Sequence, residues 1–249
     1  MSIFSLLTGS RSKRDETLDL SWMGVDMHSH LITGIDDGVA SLSEAVEMVE
    51  RLKNLGLNKI ITTPHIMTEY YKNSPEIILK GLDLLKSSLQ AHNIDMKIEA
   101  AAEYYLDEIF MEKVNAEEKL LTISGQYVLV ETGFLNKPQM LLESLFALEL
   151  NGYTPIFAHP ERYLYLHNDA KLLHQLVERN ILFQCNLLSF TGYYGKTVKK
   201  FAEKLVDAQQ VMLVGTDAHN HKYLNALEEL PSEKYYYKLQ KLPLLNNTL

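Results

Sequence analysis

The chain has 249 residues, of which 46% are hydrophobic, and a formal net charge of −8 at pH 7. This length suits one large α/β domain, and the acidic charge argues against a protein that binds the phosphate backbone of nucleic acids. The single cysteine, Cys185, excludes an intrachain disulfide and leaves nitrogen and oxygen atoms as the ligands for any metal.

The chain is expected to be a cytoplasmic protein without a membrane span. No apolar run approaches the roughly 20 residues that cross a bilayer. Residues 1–21 are expected to form a frayed or loosely docked N-terminal arm ahead of a single domain at residues 22–249. The apolar residues 3–7 are too few for a signal peptide, and a short amphipathic contact with a partner or a membrane surface is the alternative.

Strand-like and helix-like segments alternate from residue 22 onward, which is typical of folds built from βα repeats. Seven strands are predicted, at residues 23–27, 59–63, 96–102, 127–130, 154–158, 181–185 and 211–215. Helices are predicted between them at residues 41–56, 74–91, 137–150, 169–178 and 196–208. A last helix at residues 224–242 is expected to break near Pro231.

The first two helices have clear end signals. Ser41 and Glu44 form a capping-box pattern, and Gly56 suits the position just after the helix. Ser74 followed by Pro75 offers an N-cap and a proline at the first helical position. These signals predict where the two helices begin and where the first one ends.

Groups able to bind a metal or a phosphate follow almost every predicted strand. The carboxyl ends of parallel strands converge on one face in βα folds, and active sites form there. Two histidines at positions i and i+2 of a strand point to the same side and can close on one ion. The groups are, in chain order, His28, His30, the pair Asp36 and Asp37, His65, Glu103, Glu131, His159, Asn186, Asp217 and His219.

A carboxylate that ends a packed apolar strand needs a compensating positive charge, because an unpaired buried charge is very costly. Glu103 follows three alanines, and Glu131 follows Tyr-Val-Leu-Val. Taken singly, each histidine or carboxylate is equally well explained as a core, rim or surface residue. Together, the five histidines and four carboxylates, counting one of the pair Asp36 and Asp37, predict a multinuclear metal site.

Arg162, three residues after His159, is a candidate for a bidentate contact with a phosphate. The alternative is a salt bridge to Glu161 or to another surface acid. Tyrosines also cluster after strand ends, and Tyr105 and Tyr194 are predicted to line a slot for an aromatic substrate group. Filling space beneath the loops is the other explanation for these tyrosines.

On these motifs the chain resembles the PHP (polymerase and histidinol phosphatase) superfamily. Within it, the chain is similar to the manganese-dependent bacterial protein-tyrosine phosphatases of capsule and exopolysaccharide operons. The motifs occur in the same order and at matching intervals: Asp-Met-His28-Ser-His30, Asp36-Asp37-Gly, Thr-Pro-His65, Ala-Glu103-Tyr-Tyr, Val-Glu131, Ala-His159-Pro-Glu-Arg162-Tyr and Gly-Thr-Asp217-Ala-His219-Asn. The resemblance implies an α/β fold, a distorted, TIM-like (β/α)7 barrel, with three divalent metal ions.

The resemblance also implies which residues hold each ion. The first ion would be bound by His28, His30, Glu103 and Asp217, the second by Glu103, Glu131 and His159, and the third by Asp37, His65 and His219. Manganese is favoured, with iron, zinc and magnesium left open. Arg162 matches a phosphate-binding arginine of the family. A second arginine is expected after the last motif, but this chain has Lys222 there, which lacks the fork geometry of a guanidinium.

The implied activity is metal-assisted hydrolysis of phosphotyrosine on a protein, with a membrane-associated bacterial tyrosine kinase as the expected partner. Catalysis would involve Glu103, Asp217, Arg162 and Lys222. A phosphatase for a small metabolite such as histidinol phosphate is the alternative. A PHP nuclease and a non-catalytic module that docks on a kinase are further alternatives. The oligomeric state and the role of Tyr235, Tyr236 and Tyr237 stay open.

Overall fold

The structure, a computed structural model, describes residues 17–249. Most of the predicted N-terminal arm, residues 1–16, therefore lies outside the described residues. Within residues 17–21, which the prediction assigned to the arm, Leu18 and Leu20 pack against the hydrophobic core. Leu20 is fully buried, and its backbone N–H donates to the carbonyl of Leu55 at 2.7 Å.

The described residues form nine β-strands, all paired in parallel, in two sheets. The strands are β1 (Val25–Asp26), β2 (Lys59–Thr62), β3 (His65–Ile66), β4 (Lys97–Ala100), β5 (Glu103–Tyr105), β6 (Tyr127–Glu131), β7 (Thr154–Ala158), β8 (Leu182–Asn186) and β9 (Val211–Gly215). The order is β1-β2-β4 in one sheet and β3-β5-β6-β7-β8-β9 in the other. All seven predicted strands are present.

The two additional strands, β3 and β5, continue predicted strands after a short interruption. Pro64 separates β2 from β3, and a proline cannot donate a hydrogen bond to a neighbouring strand. The interruption moves the path of the chain from the first sheet to the second. As a result, His65 and Glu103 begin new strands and are paired in register with each other.

The hydrogen bonds do not confirm a closed seven-stranded barrel. Between the first and last strand regions, the described residues form one isolated parallel bridge, at Ser29 and Ala218. Asn246 fills part of the gap between β1 and β9: its Nδ2 donates to the carbonyls of Val25 (2.9 Å) and Val214 (2.7 Å), and its Oδ1 accepts from the Val214 N–H (3.0 Å). The observed architecture is an α/β fold with two parallel sheets.

Ten α-helices connect or flank the strands in the described part of the chain. They are α1 (Leu42–Asn54), α2 (Pro75–Ala91), α3 (Glu108–Asn115), α4 (Leu141–Leu150), α5 (Leu164–His167), α6 (Ala170–Glu178), α7 (Leu187–Thr191), α8 (Lys196–Asp207), α9 (His221–Leu227) and α10 (Lys234–Leu239). The predicted caps are confirmed, because the side chains of Ser41 and Ser74 accept from the N–H groups of Glu44 and Ile77. The sequence analysis missed α3, α5 and α7.

The predicted break in the last helix is also confirmed, since a 3-10 turn at Leu230–Ser232 separates α9 from α10. The three consecutive tyrosines lie on α10. Tyr236 is buried and donates its hydroxyl to the carbonyl of Asp19, and Tyr235 donates to Asp207. This arrangement fits a packed helical face.

Most strands are buried on both sides, as expected for parallel sheets covered by helices, and β4 at the edge of the first sheet is partly exposed. On β6, Val128 and Val130 belong to the large cluster between strands and helices, whereas Leu129 belongs to a smaller inner cluster with Ile156 and Leu213. Side chains alternate along a strand, so Glu131 points to the same side as Leu129. The inner cluster therefore leads directly to the functional groups at the strand ends.

Along residues 17–249, the helices are all too short or too polar to cross a bilayer.

We expect Asn246→Ala to destabilise the protein strongly, because three buried backbone groups of Val25 and Val214 would lose their partner. The expected loss is about 1–3 kcal/mol for each group left unpaired, measured as the free energy of unfolding in urea. Asn247→Ala is the matched control, since Asn247 is exposed and donates once, to the carbonyl of Trp22. Equal losses in the two variants would contradict this role for Asn246.

Candidate metal centre

The nine predicted metal ligands converge on the face where the strands end. His28 and His30 follow β1, and Asp37 lies in the loop after them. His65 begins β3, Glu103 begins β5 and Glu131 ends β6. His159 follows β7, and Asp217 and His219 follow β9. Asp37 is the exposed member, with 53% of its side chain accessible, and the others are largely buried. Convergence of the strand ends therefore brings together side chains that are distant in sequence.

Two of the ligands adopt a left-handed backbone conformation. His159 has φ 33° and Asp217 has φ 50°, a region that residues other than glycine rarely occupy. His159 directly follows β7, and Asp217 comes two residues after the end of β9. The turn at each residue changes the direction of the chain while its side chain stays at the strand end. Strain of this kind persists where the surrounding structure enforces it, and it concentrates at functional sites.

The ligand atoms form four overlapping groups, in each of which they lie within 4.8 Å of one another. The groups are His28, His30 and Glu103; His28, His159 and Asp217; His65, Glu103 and Glu131; and His30, Asp37, His65 and His219. Every predicted ligand belongs to at least one group. Spacing of this kind allows several cations to share neighbouring ligands.

The groups differ in part from the ligand sets that the family resemblance implies. His159 groups with His28 and Asp217, although its Nε2 also lies 3.0 Å from Glu103 Oε1 and 3.9 Å from Glu131 Oε2. His65 faces two groups at once. Its Nδ1 lies 2.8 Å from Glu131 Oε1, and its Nε2 lies 3.4 Å from Asp37 Oδ1.

The two adjacent aspartates have different surroundings. Asp36 lies 2.8 Å from His30 Nδ1 and accepts from the backbone N–H groups of His65 (3.1 Å) and Gly38 (3.0 Å). Asp37 instead faces His65 Nε2 at 3.4 Å and His219 Nε2 at 3.6 Å. Asp36 is thus occupied in holding His30 and the start of β3, and Asp37 is free to bind an ion.

Several buried polar atoms of the centre fit a bound cation. Within residues 17–249, Glu103 Oε2, Glu131 Oε1 and His65 Nδ1 make no regular hydrogen bond, although the two glutamate oxygens lie only 3.1 and 2.8 Å from His65 Nδ1. Buried polar groups without partners are costly. A divalent cation bound by these oxygens and nitrogens would remove that cost, and mixed imidazole and carboxylate ligands suit first-row transition metals.

Without a metal, the histidines supply the positive charge. Burial lowers the pKa of His65, but Glu131 and Glu103 raise it to about 10. Burial raises the pKa of Glu103, but His28 and His65 hold it well below its usual value. The pKa of Asp217 is likewise well below its usual value, because His28 and His219 outweigh the effect of burial.

Arg162 lies at the edge of the centre with its guanidinium held on both faces. Its carbon Cζ is 4.3 Å from the centre of the Phe134 ring and 4.4 Å from that of Tyr194, and Nη1 donates to Asp217 Oδ2 at 3.1 Å. The alternative partner, Glu161, accepts elsewhere, from the Asn186 N–H and the Ser189 hydroxyl. The guanidinium is therefore rigidly placed beside the metal ligands.

A cavity of about 190 Å³ opens onto the centre. It is lined by Asp37, His65, Met67, Tyr71, Glu103, Glu131, Phe134, His159, Arg162, Asp217, His219 and Tyr223. Lys222 is exposed on the first turn of α9 and does not line the cavity. Its neighbour Tyr223 does, with its ring stacked on His219 at 5.0 Å.

The two tyrosines predicted to form an aromatic slot lie outside this cavity. Tyr105 lines an adjacent pocket of about 580 Å³ together with Tyr70, and Tyr194 covers Arg162. Tyr71, stacked on His65, and Tyr223 are the tyrosines that line the cavity itself. Tyr71 and Tyr223 therefore fit the predicted aromatic slot better than Tyr105 and Tyr194 do.

Sequence reasoning also missed residues that support the ligands. Gln184 Oε1 lies 2.8 Å from His28 Nδ1, and Asn186 Nδ2 donates to Asp217 Oδ2 at 2.6 Å. The sequence places Asn186 among the groups at strand ends that could bind a metal or a phosphate, and in the structure it supports Asp217. A polar Gln184 inside the predicted apolar strand was the signal that could have revealed it.

Comparison with known proteins gives a consistent family relationship. The family model described as capsular polysaccharide synthesis, CpsB/CapC, matches residues 24–226. The chain is 32% identical over 203 residues to the tyrosine-protein phosphatase YwqE of Bacillus subtilis (strain 168), covering 81% of this chain and 79% of that protein. It is 25% identical over 232 residues to the tyrosine-protein phosphatase CpsB of Streptococcus pneumoniae, covering 90% and 96%.

A solved structure agrees with this relationship. The crystal structures of YwqE from Bacillus subtilis and CpsB from Streptococcus pneumoniae, described as unique metal-dependent tyrosine phosphatases, include a chain that matches with a TM-score of 0.73. The sequence identity is 28%, and the match covers 89% of this chain and 94% of that chain.

We expect the metal-free protein to lose stability as the pH rises from about 6.5 to about 10. His65 has a folded-state pKa raised to about 10, so its contribution is complete below its unfolded pKa of about 6.5 and is lost as the pH rises through the folded value. Urea unfolding in the presence of a chelator measures this dependence.

His65→Asn should reduce the decline in stability, whereas His174→Asn should leave it unchanged, because His174 is exposed on α6 and pairs only with Glu178 in the described structure. Stability that is constant or rises over this pH range would contradict the expected charge pairing.

Proposed function

Because the chain belongs to the CpsB/CapC family of capsular polysaccharide synthesis, we propose that it is a metal-dependent phosphatase that hydrolyses phosphotyrosine on a protein. The single observation that carries this function is the position of Arg162. A guanidinium held between two aromatic rings borders a cluster of nine metal-binding side chains. Cations and a rigid arginine around one small cavity are the recurring requirements of phosphoryl transfer.

We propose three divalent metal ions, with manganese favoured over iron, zinc or magnesium. The residues that would hold them are His28, His30, Asp37, His65, Glu103, Glu131, His159, Asp217 and His219. When bound, the ions would lower the pKa of a water molecule and stabilise charge on the phosphate oxygens. Glu131 Oε1 and Glu103 Oε2 lie 2.8 and 3.1 Å from His65 Nδ1, a spacing at which these atoms could share one cation, and this supports the proposal.

The chain's own residues have separate roles in this reaction. Arg162 uses one of its five N–H donors on Asp217, which leaves others for two oxygens of a phosphate. Phe134 and Tyr194 restrict the guanidinium plane, so the contact needs little rearrangement as charge develops on the equatorial oxygens. A phenolate leaving group, with a conjugate-acid pKa near ~10, needs less protonation than an alkoxide.

The size of the cavity limits how much of a substrate can enter it. About 190 Å³ is less than the roughly 300–1,000 Å³ of most small-molecule sites. A phosphoryl group and part of an aromatic ring would fill it, while the rest of the substrate lies outside. We propose that the partner is a phosphorylated, membrane-associated tyrosine kinase of capsule or exopolysaccharide synthesis, met in the cytoplasm. The family description supports the link to capsular polysaccharide synthesis.

The proposed activity is tested with metal-reconstituted protein on phosphotyrosine peptide, phosphoserine peptide and histidinol phosphate. We expect release of phosphate from phosphotyrosine to be fastest, and chelation to abolish it. Cys185→Ser should retain most activity, because the thiol is fully buried and burial holds its pKa well above the usual value. Preference for histidinol phosphate would favour the metabolite phosphatase, and binding to a kinase without phosphate release would favour a docking module.

We expect Arg162→Lys to lower kcat by about 10²–10³-fold, because a lysine cannot reproduce the bidentate contact with the transition state. Steady-state kinetics on phosphotyrosine peptide measures the change. Arg179→Lys is a matched control, because Arg179 also combines a carboxylate, Glu149, with an aromatic ring, Phe146, away from the cavity. If the control lost as much activity as Arg162→Lys, a general loss of stability would explain both.

A further inference from the structure

Two amide side chains on β8 connect a metal-binding histidine with a metal-binding aspartate. Gln184 Oε1 lies 2.8 Å from His28 Nδ1, and Gln184 Nε2 donates to Asn186 Oδ1 at 3.0 Å. Asn186 Nδ2 then donates to Asp217 Oδ2 at 2.6 Å. All four side chains are almost completely buried. This row, from His28 through Gln184 and Asn186 to Asp217, is called the amide relay.

The orientation of both amides is determined at the ends of the amide relay. At one end the backbone N–H of His159 donates to the same Gln184 oxygen at 3.4 Å, so that atom must be an acceptor. At the other end Asp217 is a carboxylate, which only accepts, so Asn186 must present its NH₂ group to it. The remaining contact, from the Gln184 amide nitrogen to the Asn186 oxygen, agrees with both assignments.

These orientations determine the role of each ring nitrogen of His28. Nδ1 faces an acceptor and must carry a hydrogen, so Nε2 is the atom available to a cation. That nitrogen lies 3.2 Å from Glu103 Oε2 and 3.3 Å from Asp217 Oδ1, inside the metal centre. We infer that Gln184 and Asn186 are positioning residues that hold His28 as an Nε2 metal ligand and fix the orientation of Asp217.

The surrounding backbone leaves little room for any other arrangement. Gly215 lies directly against the amide relay, and a Cβ atom there would come within 2.7 Å of His28 Cβ and 3.1 Å of Gln184 Nε2. A buried polar side chain in a strand is costly unless it is hydrogen-bonded. Gln184 is fully buried within β8, and its contacts to His28, His159 and Asn186 satisfy this requirement.

The Nδ1 atoms of His28 and His30 thus contact different kinds of side chain. His30 Nδ1 is held by the carboxylate of Asp36, whereas His28 Nδ1 is held by a neutral amide. A carboxylate at position 184 would add a further negative charge beside Glu103 and Asp217, and the amide avoids this. Loss of the amide relay should therefore weaken the ion that depends on His28 and Asp217, and leave the group around Asp37, His65 and His219 intact.

This inference rests on the proposed function, since it requires that metal ions bind. The test is a titration of Mn²⁺ into the metal-free protein, with free Mn²⁺ followed by its electron paramagnetic resonance signal. In Gln184→Met, which has similar volume without the acceptor, we expect one Mn²⁺ site to weaken by about 10–100-fold, the effect typical of residues that orient metal ligands. The remaining sites should keep the wild-type affinity.

Gln184→Glu distinguishes positioning from packing. Glutamate keeps an acceptor for His28 Nδ1 and for the His159 N–H, but it cannot donate to Asn186, and its charge attracts cations by itself. The readout is therefore exchange of the His28 Nδ1–H in NMR spectra, which should be slower in Gln184→Glu than in Gln184→Met. A packing role predicts the opposite order, because buried methionine disturbs an apolar strand less than glutamate does. If Gln184→Met fails to fold, Asn186→Ser, which shortens the side chain that reaches Asp217, should weaken the same single site.

A second readout follows the His28 ring directly. In ¹⁵N NMR spectra of the Zn²⁺-loaded protein, His28 should show a slowly exchanging Nδ1–H and a metal-bound Nε2, and Gln184→Met should lose the slow exchange. Unchanged Mn²⁺ binding in both Gln184→Met and Asn186→Ser would overturn the positioning role. A wild-type protein that binds no Mn²⁺ would instead contradict the proposed function.

Discussion

The structure depends on the pairing of negatively charged carboxylates with positively charged imidazoles, which are buried together at the strand ends. Glu103, Glu131 and Asp217 are almost inaccessible to water, and burying such charges without partners would cost several kcal/mol each. In the metal-free chain the neighbouring histidines compensate, as the raised pKa of His65 and the lowered pKa of Glu103 indicate. Divalent cations would replace the protons and hold the same side chains together, so metal binding and folding stability are coupled.

Outside this centre, the supporting contacts keep each ligand in one orientation. Asp36 holds His30, the amide relay on β8 holds His28 and Asp217, and Phe134 and Tyr194 hold Arg162. These supporting side chains come from several strands and loops, so the parallel topology places the candidate ligands at one face and also places the residues that orient them. It also brings a second layer of polar and aromatic side chains within contact distance of the first, which is where metal sites acquire much of their affinity.

The chemistry follows from combining this rigid centre with a small cavity. Tyr71 and Tyr223 stack on His65 and His219, so aromatic surfaces surround the metal ligands on the open side. Such walls suit a phosphorylated aromatic ring. Cys185 lies on the far side of β8 in the hydrophobic core, where its thiol cannot reach a substrate. The proposed phosphatase activity is therefore assigned to the candidate metal centre and not to a cysteine nucleophile.

Much of the architecture and the ligand chemistry could be predicted from the sequence, because both depend on local patterns. Strand and helix periodicity, the caps at Ser41 and Ser74 and the placement of histidines and carboxylates at strand ends are all short-range features. The short helices α3, α5 and α7 were missed because, at no more than eight residues each, they are too short to show a clear periodicity. Contacts between distant segments could not be predicted in this way.

Tertiary structure decided that Asp36 supports His30 while Asp37 faces the centre, although the two residues are adjacent and chemically identical. It likewise placed Lys222 on the surface and Tyr223 in the cavity, since one residue along a helix turns the side chain by about 100°. Gln184 acquired a role only through His28, 156 residues away along the chain. The sequence by itself determined which chemical groups are available at the strand ends, and the packing of the strands decided which of those groups meet.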